Sequence, residues 1–165
     1  MIEPKYKLTE ETIKVNNKPL YRIEALRDFA DVKKGDKGGF IENESNLSQS
    51  DNCWVYDNAQ VFGDAKVYGE ARIFDNAMVY GNAKVYGEAD VYDNAIVCGN
   101  AQVYDNAKVY GDVEVYGHAE VYDDAEVYGH AVVCGYTKVY GNAEVSDNAW
   151  ICEDVIVCNN TKICE

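Results

Sequence analysis

From Val55 to Lys162 the apolar and polar residues follow a six-residue rhythm, V-Y-G-N-A-x, repeated eighteen times without an insertion or a deletion. The first position is Val in sixteen copies and Ile at Ile73 and Ile151, and the fifth is Ala in fourteen copies. Val113, Thr137, Val155 and Thr161 are the exceptions at the fifth position. Within A-x-V-Y the Ala and Val lie two apart, so they share one face of a short strand while x and Tyr share the other. The pair that follows is drawn almost entirely from Gly, Asp, Asn and Glu, residues that suit a sharp corner. Short fixed-period self-similarity of this kind predicts a parallel β-helix, with a narrow core of Val and Ala. Proline is absent after Pro19, so every repeat keeps its backbone donors.

The pattern resembles the hexapeptide-repeat superfamily. That resemblance implies an all-β, left-handed, single-stranded parallel β-helix in which three hexads make one triangular coil of eighteen residues. Six coils would then rise about 29 Å at ~4.8 Å each. The run Y-R-I-E-A-L-R-D-F-A-D-V-K-K-G-D-K-G-G-F-I-E-N-E-S-N-L-S, from Tyr21 to Ser48, extends the likeness. Followed by V-Y-G-N-A hexads, it is similar to hexapeptide-repeat proteins of phage and bacterial genomes, for which a transferase activity is implied.

Residues 1–36 do not repeat and read as an N-terminal cap, with 37–54 as a degenerate first coil and 55–165 as the helix proper. Strands are predicted around Tyr6–Leu8, Thr12–Val15 and Leu20–Ile23, the last two joined by a turn at Asn16-Asn17. A helical turn is expected over Ala25–Ala30. Ile41, Leu47 and Cys53 are expected at the fifth position of the repeat. The Lys33–Gly39 stretch invites a phosphate-loop reading, but it lacks the Walker spacing and reads as a plain turn.

Charge is unevenly placed. Residues 1–54 carry nine Lys/Arg against ten Asp/Glu, while 55–165 carry six against nineteen, which puts −13 of the net −14 on the rod. Such a surface opposes nucleic acid. No apolar run approaches a membrane span and the N-terminus lacks signal-peptide character, so a cytoplasmic location is expected and the six cysteines read as thiols. Cys134 and Cys152 fall on successive coils within disulfide distance; free thiols are the expectation there too.

Columns of eighteen sort the outward residues into three faces. Only the first is apolar in both columns: Gln60, Met78, Ile96, Glu114, Val132 and Trp150, beside Phe62, Tyr80, Cys98, Tyr116, Cys134 and Cys152. An interface is expected at Phe62, Met78, Tyr80, Ile96, Tyr116, Val132 and Trp150, joining copies as a homotrimer or homodimer. The second face carries a Tyr ladder, read as aromatics stacking on one another.

The catalytic candidates are weak. The only histidines, His118 and His130, occupy fourth, corner positions bordering the first face, with His118 preferred. Two histidines exclude a three-histidine metal site. The thiols at 152, 158 and 164 lie on three faces, so no zinc site is expected. Corner acids such as Asp57, Asp75, Asp93 and Asp147 are explained by turn preference, without calcium. The sequence therefore favours a non-enzymatic binding or scaffold module with no cofactor, engaging a protein partner through acidic, Tyr-lined faces. One form is an inhibitor of a host (defence) factor. The alternative is a CoA-dependent acyltransferase using acetyl-CoA.

Overall fold

A computed structural model describes residues 3–165. Strand β1 (Tyr6–Val15) and strand β2 (Lys18–Ala25) form an antiparallel hairpin, and β2 pairs with β3 (Lys37–Ile41), which opens the rod. Every later strand is two or three residues long and pairs in parallel with the strand eighteen residues on, as in Gln60↔Met78 and Lys66↔Lys84. Three sheets result, one per face, in a parallel β-solenoid of about seven coils. The hairpin is an extension of the first face's sheet, which has nine strands in all.

The inward positions carry the core. The Val and Ala tracks from Val55 to Val145 are 0–1% exposed, because the prism is too narrow for anything larger at both positions. At each corner the third residue adopts the left-handed conformation. Gly fills it at most corners, where the next coil lies close: a Cβ on Gly111 would be 2.7 Å from the Gly129 carbonyl oxygen. Asp fills six of the others, with φ between 51° and 59°, and Glu153 and Asn159 the last two, at 78° and 60°.

The N-terminal segment differs from expectation in three ways. The two segments predicted before Asn16 are one strand with a register irregularity between Leu8 and Thr12; Asn16 and Asn17 do make the turn, at φ 51° and 65°. Ala25–Ala30 is a bend, not a helical turn: Ala25 donates to Asp36 and Phe29 pairs with Val32, so the backbone groups are satisfied across the loop. Third, Ile41 pairs with Val61 and Leu47 with Val67, twenty residues on, while Val55 pairs with Ile73 at eighteen. Ile41 and Leu47 therefore occupy the Val track, not the Ala track, and two extra residues are accommodated between Leu47 and Val55.

Those extra residues anchor the cap. Gln49 Oε1 accepts from the backbone N–H of Lys5 (2.8 Å) and Tyr6 (3.2 Å), and Asp51 Oδ2 accepts from Gly69 (3.0 Å). The first coil has no predecessor, so its backward-facing carbonyls need other donors. Buried Lys5 gives its ammonium to the carbonyls of Asp51 (2.7 Å) and Cys53 (2.8 Å). Tyr6 gives its hydroxyl to Leu47, and Asn46 its amide to Gly63 and Ala65. In the Lys33–Gly39 stretch, Asp36 and Asp28 accept the N–H groups of Lys33 and Lys34, leaving no anion cradle there.

Candidate functional site

The stacking of coils places each outward residue directly above its counterpart eighteen residues earlier, so the faces can be read as columns. On the first face Gln60, Met78, Ile96, Glu114, Val132 and Trp150 are successive partners. Phe62 stacks on Tyr80 at 4.9 Å, and Met78, Ile96, Tyr116 and Val132 are half-buried. Trp150 is 73% exposed, its indole N–H against Cys152 Sγ at 2.8 Å. A hydrogen bond with Cys98 and burial push the Tyr80 hydroxyl up to about 12. Cys134 and Cys152, with Cα atoms 4.5 Å apart, form a disulfide, which corrects the expectation of free thiols. In-register coils bring identical positions within the reach a disulfide needs.

The second and third faces are organised by stacking. Tyr68, Tyr86, Tyr104, Tyr122 and Tyr140 form one ladder with centroids 4.8–4.9 Å apart, and Phe74, Tyr92, Tyr110 and Tyr128 form another at 4.7–5.2 Å. Hydroxyls reach diagonally to the next coil, Tyr104 to Glu120 (2.9 Å) and Tyr110 to Glu126 (3.1 Å). Burial, and then these carboxylates, hold both phenols well above the ordinary tyrosine range. Arg72 grips Asp90 through two bonds of 2.9 and 2.7 Å, an arrangement that keeps an otherwise buried carboxylate paired.

The corners separate the two histidines chemically. His118 stacks on Tyr136 at 4.7 Å, and its corner borders a groove with Asn82, Lys84, Asn100 and Gln102. His130 has its Nδ1 3.3 Å from Asp112 Oδ2, one coil back on the same corner. Asp112 in turn accepts from Asn94 at 2.9 Å. His130 thus has a carboxylate beside its ring and His118 an aromatic ring, and an imidazole next to a carboxylate is an arrangement a general base can use. The two histidines are not brought together. The Asp112–His130 spacing of one coil was the sequence signal for this pair, visible once the histidines are aligned with their own columns.

Corner acids have a structural use. Asp57 Oδ2 accepts from Asp75 N–H, Asp75 from Asp93, Asp93 from Gly111, and Asp123 from Gly141, each at 3.0–3.3 Å. Turn preference thus extends into a carboxylate-to-backbone ladder between coils. Among the described residues no group of three His, Cys, Asp or Glu side chains is placed to hold a metal ion. No helix among them is long and apolar enough to cross a membrane.

The YdcK β-solenoid repeat model matches residues 71–87 and 101–117. The chain is also similar to an Escherichia coli (strain K12) protein described as "Uncharacterized acetyltransferase YdcK", 40% identical over 60 residues. That similarity covers 32% of this chain and only 18% of the relative's length. In architecture the chain is a parallel β-solenoid, and its repeat is similar to that of the YdcK solenoid.

Proposed function

We propose that this chain is a rigid, non-enzymatic binding or scaffold module that self-associates through its first face and meets a protein partner with its acidic, Tyr-lined sides. The observation that carries this reading is the unbroken series of two- and three-residue strands after Val55, with no loop inserted between coils. Flat faces of this kind offer area for a partner but little shelter from water for a reacting group. The first face contributes the apolar anchors Met78, Ile96, Val132 and Trp150. The acidic rod fits a basic partner surface, one form of which is a host (defence) factor that the rod would block. Self-association is tested by light scattering: Met78→Lys with Trp150→Lys converts the oligomer to a monomer, and a wild type already monomeric at micromolar concentration refutes it. Salt-sensitive capture of a basic host protein by the oligomeric wild type supports the partner half.

A second reading is favoured by one geometry, the Asp112–His130 pair beside that same face, and by the acetyltransferase description of the E. coli relative. Under it the chain transfers an acyl group from CoA, with His130 as the base and Asp112 orienting it. Calorimetric binding of acetyl-CoA, with turnover lost in His130→Ala and reduced in Asp112→Asn, would establish this. No heat of binding in the wild type removes it.

A further inference from the structure

The second face carries five tyrosine rings in line, Tyr68 to Tyr140, at 4.8–4.9 Å steps and with planes within 9° of each other. Four such steps make a strip about 20 Å long, the kind of regular side-chain ladder that in-register parallel strands create. Hydroxyls pinned to the next coil, Tyr86 on Gln102 and Tyr104 on Glu120, hold the rings in one tilt. A surface already ordered loses little freedom on binding.

Beside this strip runs the corner between the second and third faces, a groove lined by Gly87, Glu88, Asp105, Asn106, Asp123, Asp124 and Gly141. No Lys or Arg lies on that corner. Asp123 is committed to the Gly141 N–H, but the side-chain carboxylates of Glu88 and Asp105 have no hydrogen-bond partner among the described residues, their backbones alone being joined at 2.8 Å. The basic residues of the face, Lys66, Lys84 and Lys138, stand on the opposite edge of the ladder, and Lys138 is paired with Glu120. The third face's ladder has only four rings. The acids beside it, Asp57, Asp75 and Asp93, are tied to backbone N–H groups.

We propose that the channel between the Tyr68–Tyr140 ladder and the acidic corner binds elongated, planar aromatic cations lying along the rod axis. The ring edges on one side provide a flat apolar wall several coils long against which a planar ligand buries its own surface, and the carboxylates of Glu88 and Asp105 supply the opposite charge. This site is independent of the first-face interface and of any acyl transfer.

Thioflavin T, a planar monocation, is the probe, titrated into the full chain shown to be monodisperse by sedimentation so that aggregates do not contribute. A saturable rise in fluorescence is expected, weakened by added salt. Tyr104→Leu, which breaks the middle of the ladder and interrupts the flat wall, should weaken binding about tenfold. Tyr110→Leu on the third face should leave it unchanged. Asp105→Asn keeps a residue that tolerates the left-handed corner (φ 57°) and should weaken binding about threefold even if the tyrosine variant fails to fold. No saturable signal from monodisperse protein overturns the proposal. Equal losses in Tyr104→Leu and Tyr110→Leu do so as well, as does salt-insensitive binding unaltered by Asp105→Asn.

Discussion

The ammonium of Lys5 donates to the carbonyl oxygen of Cys53 at 2.8 Å, across 48 residues of chain and with both residues 0% exposed. A β-solenoid needs a donor where its first coil has no predecessor, and lysine has three donors and no acceptor. Burial holds the Lys5 pKa below its ordinary value, and burial pushes the Cys53 thiol up. Lys5→Met keeps the stem and removes the donors. The orphaned carbonyls should cost about 3 kcal/mol, read as a lower denaturant midpoint with the solenoid's circular dichroism retained. An unchanged midpoint would show that water replaces the ammonium.

Two glycines of the Lys33–Gly39 stretch should respond differently to alanine. A Cβ on Gly39 would lie 2.5 Å from the Ala59 carbonyl oxygen and 2.7 Å from Val55 Cγ1, so Gly39→Ala forces the first coil away from the one that follows it. A loss of about 3 kcal/mol is expected. Gly35 has nothing within 4 Å of such a Cβ, and only its φ of 92° opposes the change, so Gly35→Ala should cost about 1 kcal/mol. Comparable losses at both positions would mean that close approach is not what requires Gly39.

Alkaline pH should unfold the ladders. The phenols of Tyr68, Tyr86, Tyr92, Tyr104 and Tyr110 are all raised above the ordinary 10.0, by burial first and, for all but Tyr68, then by neighbouring acids or tyrosines. Above pH 10 the unfolded chain loses phenolic protons that the folded chain retains, so the tyrosine contribution to stability is intact below pH 10 and falls as pH climbs toward the folded values, such as about 12 for Tyr80. Lys5 works in the opposite direction, being a single lowered group against many raised ones. Melting temperature should drop steeply beyond pH 10 while tyrosinate absorbance lags that of free tyrosine. Ionisation of all the tyrosines together at pH 10 in folded protein would contradict the stacking account.

Thiol chemistry separates the cysteines by their place on the prism. Of the six, Cys98, Cys158 and Cys164 reach solvent, Cys53 is buried, and Cys134 and Cys152 are joined. A thiol reagent should therefore titrate three groups in the folded protein, a fourth after unfolding, and the last two only after reduction. Six thiols in unreduced, unfolded protein would eliminate the disulfide.

Much of the architecture was legible because it is locally encoded. A two-residue offset puts Val and Ala on one side of each strand, and Gly, Asp or Asn at the corner permits the left-handed residue that turns the chain. These choices recur in every hexad, so the period, the core, the three faces and the columns from Val55 onward follow from neighbours six and eighteen residues apart. What the chain alone did not reveal depends on how its non-repeating part lands on the first coil. The twenty-residue pairing of Ile41 and Leu47, the single long strand before Asn16 and the burial of Lys5 arise from satisfying carbonyls that no earlier coil serves. The pairing of His130 with Asp112, likewise, is decided by which rotamers bring an imidazole and a carboxylate together across stacked coils. Period and side-chain polarity were enough to specify the prism, but closing its end and pairing its corners required the coils to be in contact.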